Sequence, residues 1–329
     1  MHYPDFTPVF LSRHQVDETA WNALITASHQ CVVYAFTYYL DQVCQDWEAL
    51  VWPTEHYRLA VPLPVRFKCG YRILYQPLFC QYLGIFSQCT LSRDLVMQVL
   101  QAINRRYAYI SAYCFNPHNT GYLSNITFLN FKILHTQWLE IHDDPETIPN
   151  AYYRDRRTQL RRASHEHWAL VPAADTCALI RLFKENHAGK VAGGVNNAAY
   201  LMLEKLFQCL KEKNLAEVWH AVKAGEVHAG ILVVRHGIQA IYLFNAADMH
   251  GKRGHARTFL LDRYFHQHCG AIKTFDFESP EIASVAYFYE GFGAQRVPFL
   301  SINKNALPFP ARILQEFRKV FFKTIQSLF

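Results

Sequence analysis

The sequence predicts an α+β chain built of two similar halves, and three observations lead there. The 329 residues are 51% hydrophobic and only 18% charged, enough apolar surface to offset the entropy of ordering, so a disordered chain is excluded. At roughly 150 residues per domain this length corresponds to two domains. Segments with strand alternation and segments with helical apolar stripes follow one another, and their order recurs about 165–170 positions later.

The first half opens with an apolar helix over Val32–Cys44 and a strand over Trp47–Trp52. A second strand, Tyr57–Phe67, ends at the turn signal Lys68-Cys69-Gly70, and a third follows at Tyr71–Tyr75. A helix over Ser92–Arg105, a strand over Tyr107–Phe115 and a closing strand over Asn125–Phe131 complete it. In the second half, helix Tyr200–Lys213 carries Leu203, Leu206, Phe207 and Leu210 at i, i+3, i+4, i+7. Strand Glu217–Val222 follows, then a hairpin of Val227–Arg235 and Ile238–Phe244 around His236-Gly237. Helix Gly254–His268, strand Ala271–Phe277, helix Glu281–Phe292 and strand Val297–Asn303 repeat the order of the first half. An amphipathic helix over Arg312–Leu328, with Leu314, Phe317, Phe321 and Leu328 inward, ends the chain. The expected domains are therefore 1–150 and 151–309, with 310–329 as the terminal helix.

Composition narrows the function classes. No apolar run approaches the roughly 18–20 residues that span a bilayer. The N-terminal stretch MHYPDFTPVFLSRH has no basic region followed by an apolar one. Nine cysteines without a C-x-x-C pair then read as reduced thiols, and the expected location is the cytoplasm. His165-Glu166-His167 and His266-Gln267-His268-Cys269 offer no convergent third and fourth ligand, so no metal is expected. A formal net charge of +6 favours anionic partners such as phosphate-bearing donors or RNA. No G-x-S-x-G elbow, P-loop or dinucleotide glycine pattern is present.

The stretch FDFESPEIASVAYFYEGFGAQRVPFLSIN, Phe275–Asn303, is the most informative. Its strand ends at Phe277, Ser279 is placed to cap a helix, Pro280 suits the first helical position, and the helix stops at Gly291 or Gly293. This stretch resembles the last part of a GNAT N-acetyltransferase domain, whose fourth helix reads F-Y-x-x-x-G-F. Phe288, Tyr289 and Gly293 match, and Ala294 replaces the second aromatic. The resemblance is closer to the Fem-type branch, tandem GNAT proteins that include peptidoglycan aminoacyltransferases. It extends over LAVPLPVRFKCGYRILYQPLFCQYLGIFS, YYRDRRTQLRRA and IYLFNAADMHGKRGHARTFLLD. It implies two GNAT-like domains, each a mixed, mostly antiparallel sheet flanked by helices, with the donor site in the second.

The resemblance also implies where the chemistry sits. The acyl donor lies in a cleft between two splayed strands, here Ala240–Asn245 and Ala271–Phe277, with Asn245 placed to contact substrate. A loop before the next helix holds the donor's pyrophosphate on backbone N–H groups. Superfamily members read Q/R-x-x-G-x-G/A in this loop. The matching segment is Gly251-Lys252-Arg253-Gly254-His255-Ala256. Gly254 and Ala256 fit, Gly251 stands at the Q/R position, and Lys252, Arg253 and Arg257 add charge; the competing reading is a basic turn before an apolar helix. The tyrosine four residues before the glycine, Tyr289, is implied as the acid that protonates the leaving thiolate. Against that, Ile282, Val285, Ala286 and Tyr289 form an apolar stripe in which Tyr289 is a core residue. Asp276 and Glu278, on one face at a strand end, are candidates for the general base with Asp248 and His250; the alternative is charge complementation of a helix N-terminus.

Between the halves, Arg154, Arg157 and Arg161 share a helical face within YYRDRRTQLRRA. They suit phosphate contacts to tRNA or a nucleotide-linked precursor; the alternative is a solvated face or an interdomain contact. Lys190, in the Gly-rich loop HAGKVAGGVNNAA, is a weaker contact of the same kind, in a loop able to act as a lid. The function implied is transfer of an acyl or aminoacyl group from acyl-CoA (acetyl-CoA) or aminoacyl-tRNA to an amine, on a small molecule or cell-wall precursor. The alternative is a non-catalytic binding protein that keeps the tandem fold without a working donor site.

Overall fold

The computed structural model describes residues 7–123, 126–191, 193–278, 281–310 and 312, leaving aside the Lys190 side chain. The expected terminal helix over Arg312–Leu328, beyond Arg312 itself, lies outside the described residues, as do Ser279 and Pro280. Two compact units emerge from the contacts: 1–134 together with 298–329, and His135–Val297.

The first unit begins with β1 (Val9–Ser12), α1 (Glu18–Ala27) and α2 (Thr37–Val43). The helix expected over Val32–Cys44 is shorter than its apolar pattern. Val33–Ala35 forms a single 3₁₀ turn and Phe36 is extended, at φ −72 and ψ 146. The interruption is tertiary: the Trp21 indole donates to the Ala35 carbonyl at 2.8 Å, and the Thr37 N–H donates to Asn22 Oδ1 at 3.1 Å. The sheet continues with β2 (Asp46–Trp52), β3 (Leu59–Lys68), β4 (Tyr71–Leu74) and the short β5 (Phe86–Ser87) against β3. The β3–β4 turn is Cys69-Gly70, both at positive φ (50 and 77), the primed geometry that matches strand twist. Then come α3 (Arg93–Arg106), capped by Ser92, and β6 (Tyr109–Cys114), which pairs parallel with β4.

β7 (Asn130–Glu140) crosses into the second unit, so the strand expected over Asn125–Phe131 lies later and is longer. That unit continues with α4 (Arg154–His165), β8 (Ala169–Ala173), α5 (Cys177–Asn186), α6 (Asn197–Glu212), β9 (Ala216–Lys223), β10 (Glu226–His236) and β11 (Gln239–Ala247). After α7 (Met249–Arg253) and α8 (Ala256–Gln267) come β12 (Thr274–Asp276), α9 (Ala283–Glu290) and β13 (Gln295–Asn305). Two-residue turns, Ala224-Gly225 and Gly237-Ile238, join β9, β10 and β11 into an antiparallel meander. β11 then pairs parallel with β12.

The meander, helix and parallel strand of the second unit thus repeat β2, β3, β4, α3 and β6. The closing strands are exchanged: Trp138–Glu140 of β7 pair with β12, and Ser301–Asn305 of β13 pair with β6. The compact units therefore differ from the consecutive stretches 1–150 and 151–309 by these strands. The second core gathers Tyr242, Leu260, Tyr264, Phe265, Phe275, Phe277 and Phe292, and each such side chain contributes about 1.5–3 kcal/mol on burial.

Candidate active site

In the second unit, β11 and β12 pair only over Gln239–Ile241 and Thr274–Asp276. β11 runs on to Ala247 beside β10, with a bulge at Leu243 where the register shifts from Val233↔Tyr242 to Leu232↔Phe244. β12 turns toward β7, the Phe277 N–H donating to the Gln137 carbonyl at 3.0 Å. The strands part, and the bulge re-aims the residues beyond it. In the first unit β4 and β6 pair over Ile73–Leu74, but the chain itself occupies the region beyond. Leu83 donates to the Cys114 carbonyl, Asn116 to the Leu83 carbonyl, and Ile85 to Asn119 Oδ1.

Three residues singled out from the sequence meet where β11 and β12 part. Arg257 Nη1 donates to Asn245 Oδ1 at 2.9 Å, and Asn245 and Arg257 are both near enough to Tyr289 to lower its phenol. Tyr289 is 4% exposed and stacks on Phe277, ring centroids 4.5 Å apart. Burial pushes its phenol up to about 12, against the lowering effects of the Arg257 charge and of Asn245. It is therefore protonated at neutral pH. Of the apolar stripe, Ile282 is 54% exposed and Val285 and Ala286 are half-buried, while Tyr289, the buried residue of α9, belongs to the second core, as the core reading expects. Sequence reasoning missed Tyr242, which packs edge-on to Tyr289 at 6.0 Å. Its buried hydroxyl has no partner among the described residues, and burial pushes its phenol well above the usual tyrosine range.

The segment Gly251–Ala256, expected as a loop, is largely helical. Gly251, Lys252 and Arg253 belong to α7, capped by Asp248, whose Oδ1 accepts from the Gly251 N–H at 2.7 Å. A Cβ on Gly251 would stand 2.2 Å from the His228 carbonyl oxygen, and one on Gly254 would stand 2.5 Å from Trp168. Both glycines are fixed by packing. The Trp168 indole donates to the Gly254 carbonyl at 2.8 Å. The turn is made at His255, in the left-handed region at φ 52, and Ala256 opens α8. Burial lowers the His255 imidazole, helped by Arg162 and Arg156, so it is neutral at pH 7.

Arg156, in the same arginine-rich segment, is 1% exposed. It donates to Gln159 Oε1 at 2.6 Å, to Thr258 Oγ1 in the first turn of α8 at 3.0 Å, and to the Phe288 carbonyl at 2.8 Å. Its guanidinium lies 4.1 Å from the Phe288 ring centroid, and burial pushes it down to about 10. Among the described residues neither Arg156 nor Arg257 has an ion-pair partner. The start of α8 therefore carries a helix dipole and two uncompensated cations, a setting favourable to an anion. One signal was available in the sequence: Arg156 stands off the face of Arg154, Arg157 and Arg161.

The remaining candidates are placed as follows. Asp276 is buried and accepts from the Thr136 hydroxyl at 2.5 Å and from the Glu278 N–H at 2.9 Å. The strand ends there, and Glu278 takes φ 47, so the two carboxylates do not alternate on one strand face. Glu278 is near enough to Tyr289 to raise its phenol. Asp248 pairs with His228 Nδ1 at 2.8 Å, and the His250 ring lies 5.5 Å from that of His228. Arg154, Arg157 and Arg161 are exposed along α4, and Lys252 and Arg253 are exposed on α7. Lys190 ends the single turn Ala188–Lys190. No group of three or more metal-ligating side chains occurs among the described residues, and no helix there is long and apolar enough to cross a membrane.

Comparison with known proteins bears on the domain and the fold. Residues 150–280 match the family model described as an acetyltransferase (GNAT) domain. No curated protein matches the sequence. Among solved structures, FemX superposes with a TM-score of 0.63 at 13% identity, over 91% of this chain and 98% of its own. A conserved protein of unknown function from Bacteroides thetaiotaomicron gives 0.56 at 8% identity, over 91% and 100% of the two chains. A tandem GNAT protein from the clavulanic acid biosynthesis pathway gives 0.54 at 11% identity, over 92% and 100%. Residues 150–280 thus match a GNAT acetyltransferase domain, and the chain shares its fold with FemX and a tandem GNAT protein.

Proposed function

We propose that the protein is an N-acyltransferase, moving an acyl or aminoacyl group from a carrier to an amine in the cleft between β11 and β12. One observation carries the reading: Arg257 donates to Asn245 close to Tyr289 where the strands part; Asn245 and Arg257 lie within the stretch that matches the GNAT domain, and Tyr289 follows it. The buried phenol is protonated and suited to give its proton to a leaving group. The start of α8, with Arg156 beneath it, suits the donor's phosphates, whether of acyl-CoA or of aminoacyl-tRNA. The exposed Arg154, Arg157 and Arg161 suit a longer polyanion such as tRNA, with Lys190, Lys252 and Arg253 as further contacts. Glu278 is the better placed of the two carboxylates to take the amine's proton, because Asp276 is held by Thr136 and the Glu278 N–H. Holding donor and amine together supplies much of the acceleration without a covalent enzyme intermediate. The acceptor is an amine on a small molecule or cell-wall precursor.

The test is a donor screen by thermal shift and by transfer, with acetyl-CoA, longer acyl-CoA thioesters and aminoacylated bulk tRNA, using Tyr289→Phe as control. Transfer from one donor class, reduced at least about tenfold in Tyr289→Phe, is the expected result. Binding without transfer, or no shift with any donor, would favour a non-catalytic protein of this fold. Full transfer in Tyr289→Phe would remove the phenol from the mechanism.

A further inference from the structure

Taking a cation out of water is costly unless its donors are used. Arg156 is 1% exposed, and none of its side-chain hydrogen bonds goes to a carboxylate. Two of them go to helix ends. Nη1 donates to Thr258 Oγ1 in the first turn of α8, and Nη2 donates to the Phe288 carbonyl in the last turn of α9, one residue before Tyr289. That carbonyl has no partner within its helix, because the Phe292 N–H donates instead to the Tyr289 carbonyl at 3.0 Å. Gly291 makes room for the guanidinium: a Cβ there would stand 2.9 Å from Nη2 and 3.0 Å from Nε. The chain entering α4 is tied to the same two helices. The Tyr153 N–H donates to the Gly291 carbonyl at 2.9 Å, and the Tyr152 hydroxyl donates to Asp262 Oδ1 of α8 at 3.0 Å. The Phe288 ring lies 4.1 Å from the Arg156 guanidinium and 5.1 Å from that of Arg257 on α8.

We propose that Arg156 is a positioning residue: its two Nη groups fix the start of α8, where the donor's phosphates would lie, relative to the last turn of α9, which carries Tyr289. This rests on the acyltransferase reading for its purpose, but the coupling of the two helices through one buried guanidinium is testable apart from it. The planar fork holds its nitrogens at a set spacing and angle, so the Thr258 hydroxyl and the Phe288 carbonyl keep a set separation. A lysine keeps the charge but offers a single ammonium on a flexible stem, which imposes no such separation. A methionine fills the space and leaves both oxygens without this donor. The geometry matters for rate because a misplacement of about 1 Å between reacting groups costs on the order of a hundredfold.

The experiment places a fluorotyrosine at position 289 and reads its surroundings by ¹⁹F NMR, with no donor required. The set comprises the parent, Arg156→Met, Arg156→Lys, and Thr258→Val in each of these three backgrounds. Thr258→Val alters the α8 end of the bridge. It is expected to displace the fluorine resonance on α9 in the parent background, and to displace it much less once Arg156 is methionine. An unmoved resonance in the parent background would overturn the inference, and so would equal displacement with and without Arg156. Should Arg156→Met fail to fold, the Arg156→Lys background carries the same comparison with the same two outcomes. The second readout is transfer from acetyl-CoA or aminoacylated bulk tRNA, expressed per folded molecule so that lost stability alone leaves it unmoved. Arg156→Met should lower kcat about tenfold or more at nearly constant donor KM, with Arg156→Lys restoring little of it. In the Tyr289→Phe background the same change should cost far less, because Arg156 acts through the tyrosine's placement. A raised donor KM with kcat intact would make Arg156 a donor contact and overturn the inference, as would equal losses in both backgrounds. A displaced resonance that depends on Arg156, without transfer from either donor, would uphold the coupling and remove the acyltransferase reading.

Discussion

Replacing Gly251 with glutamine, a residue type that GNAT proteins carry at this position, is expected to destabilise the protein instead of improving donor binding. Any side chain there puts its Cβ 2.2 Å from the His228 carbonyl oxygen and 2.8 Å from the carbonyl carbon. Restoring an ordinary contact of about 3.4 Å opens α7 from β10 by about 1.2 Å, and both partners are backbone, so no rotamer change relieves it. The same opening stretches the Asp248 N–H bond to the His228 carbonyl, now 3.0 Å, and disturbs the 2.8 Å Asp248–His228 contact. Overpacking of this kind costs about 1–3 kcal/mol and the lost backbone bond about 1 kcal/mol. Removing a helical glycine returns up to about 1 kcal/mol. The net expectation is a loss of about 1–3 kcal/mol for Gly251→Ala and at least as much for Gly251→Gln. Urea unfolding followed by circular dichroism should show a lower midpoint at unchanged slope. A midpoint equal to or above the parent for Gly251→Ala would mean that helix propensity outweighs the contact and that the steric account is wrong.

Three further outcomes are expected. Glu48 is buried, and accepts from Tyr107 at 2.7 Å, Arg72 at 2.9 Å and Arg106 at 3.0 Å; Glu48→Gln should cost about 2–3 kcal/mol in urea unfolding, less than a fully enclosed pair because both arginines reach solvent. Arg156→Met removes three hydrogen bonds along with a buried cation, so the loss should stay near 2 kcal/mol, about what orphaning the Phe288 carbonyl and Thr258 hydroxyl costs; a stabilised variant would show that the cation is held at a net cost. Asp248 is raised by burial, but the Gly251 N–H and His228 outweigh this and hold its carboxyl below the usual range. The stability it contributes is present above the ordinary aspartate value and lost as pH falls through the folded one. Unfolding free energy measured between about pH 6 and pH 3 should therefore fall less steeply in Asp248→Asn than in the parent, and equal slopes would exclude this pair as a source of acid lability.

Much of the fold was legible because it rests on local patterns. Leu203, Leu206, Phe207 and Leu210 are all buried on α6, and the hairpin expected around His236-Gly237 is β10–β11. The recurrence of meander, helix and strand appears in both units. Where the reading failed, a distant group intervened. The apolar run Val32–Cys44 is broken at Phe36 because Trp21 and Asn22 claim the backbone of Ala35 and Thr37. The strand expected to close the first half pairs instead with β12, since both strands of the exchange have similar apolar alternation and only three-dimensional proximity selects the partner.

The candidate site divides in the same way. Tyr289 was identifiable because its motif encodes a strand, a helix and a glycine exit within one short stretch; Gly293, at φ 91, makes that exit. The inward turn of Arg156 had one sequence signal, its place off the face of Arg154, Arg157 and Arg161, but the hydroxyl, carbonyl and two rings that hold it come from distant parts of the chain. The reason for Gly251 was not legible, because it depends on a carbonyl of β10 more than twenty positions away. The sequence by itself determined the element types, their repetition and the tyrosine, all of which follow from periodicity and local motif. The tertiary structure alone decided which strands close each sheet, which glycines are bound by packing, and that Arg257 meets Asn245 beside Tyr289. Those outcomes depend on distances between atoms far apart in the chain, and hydrogen-bond direction and steric overlap are set at that scale.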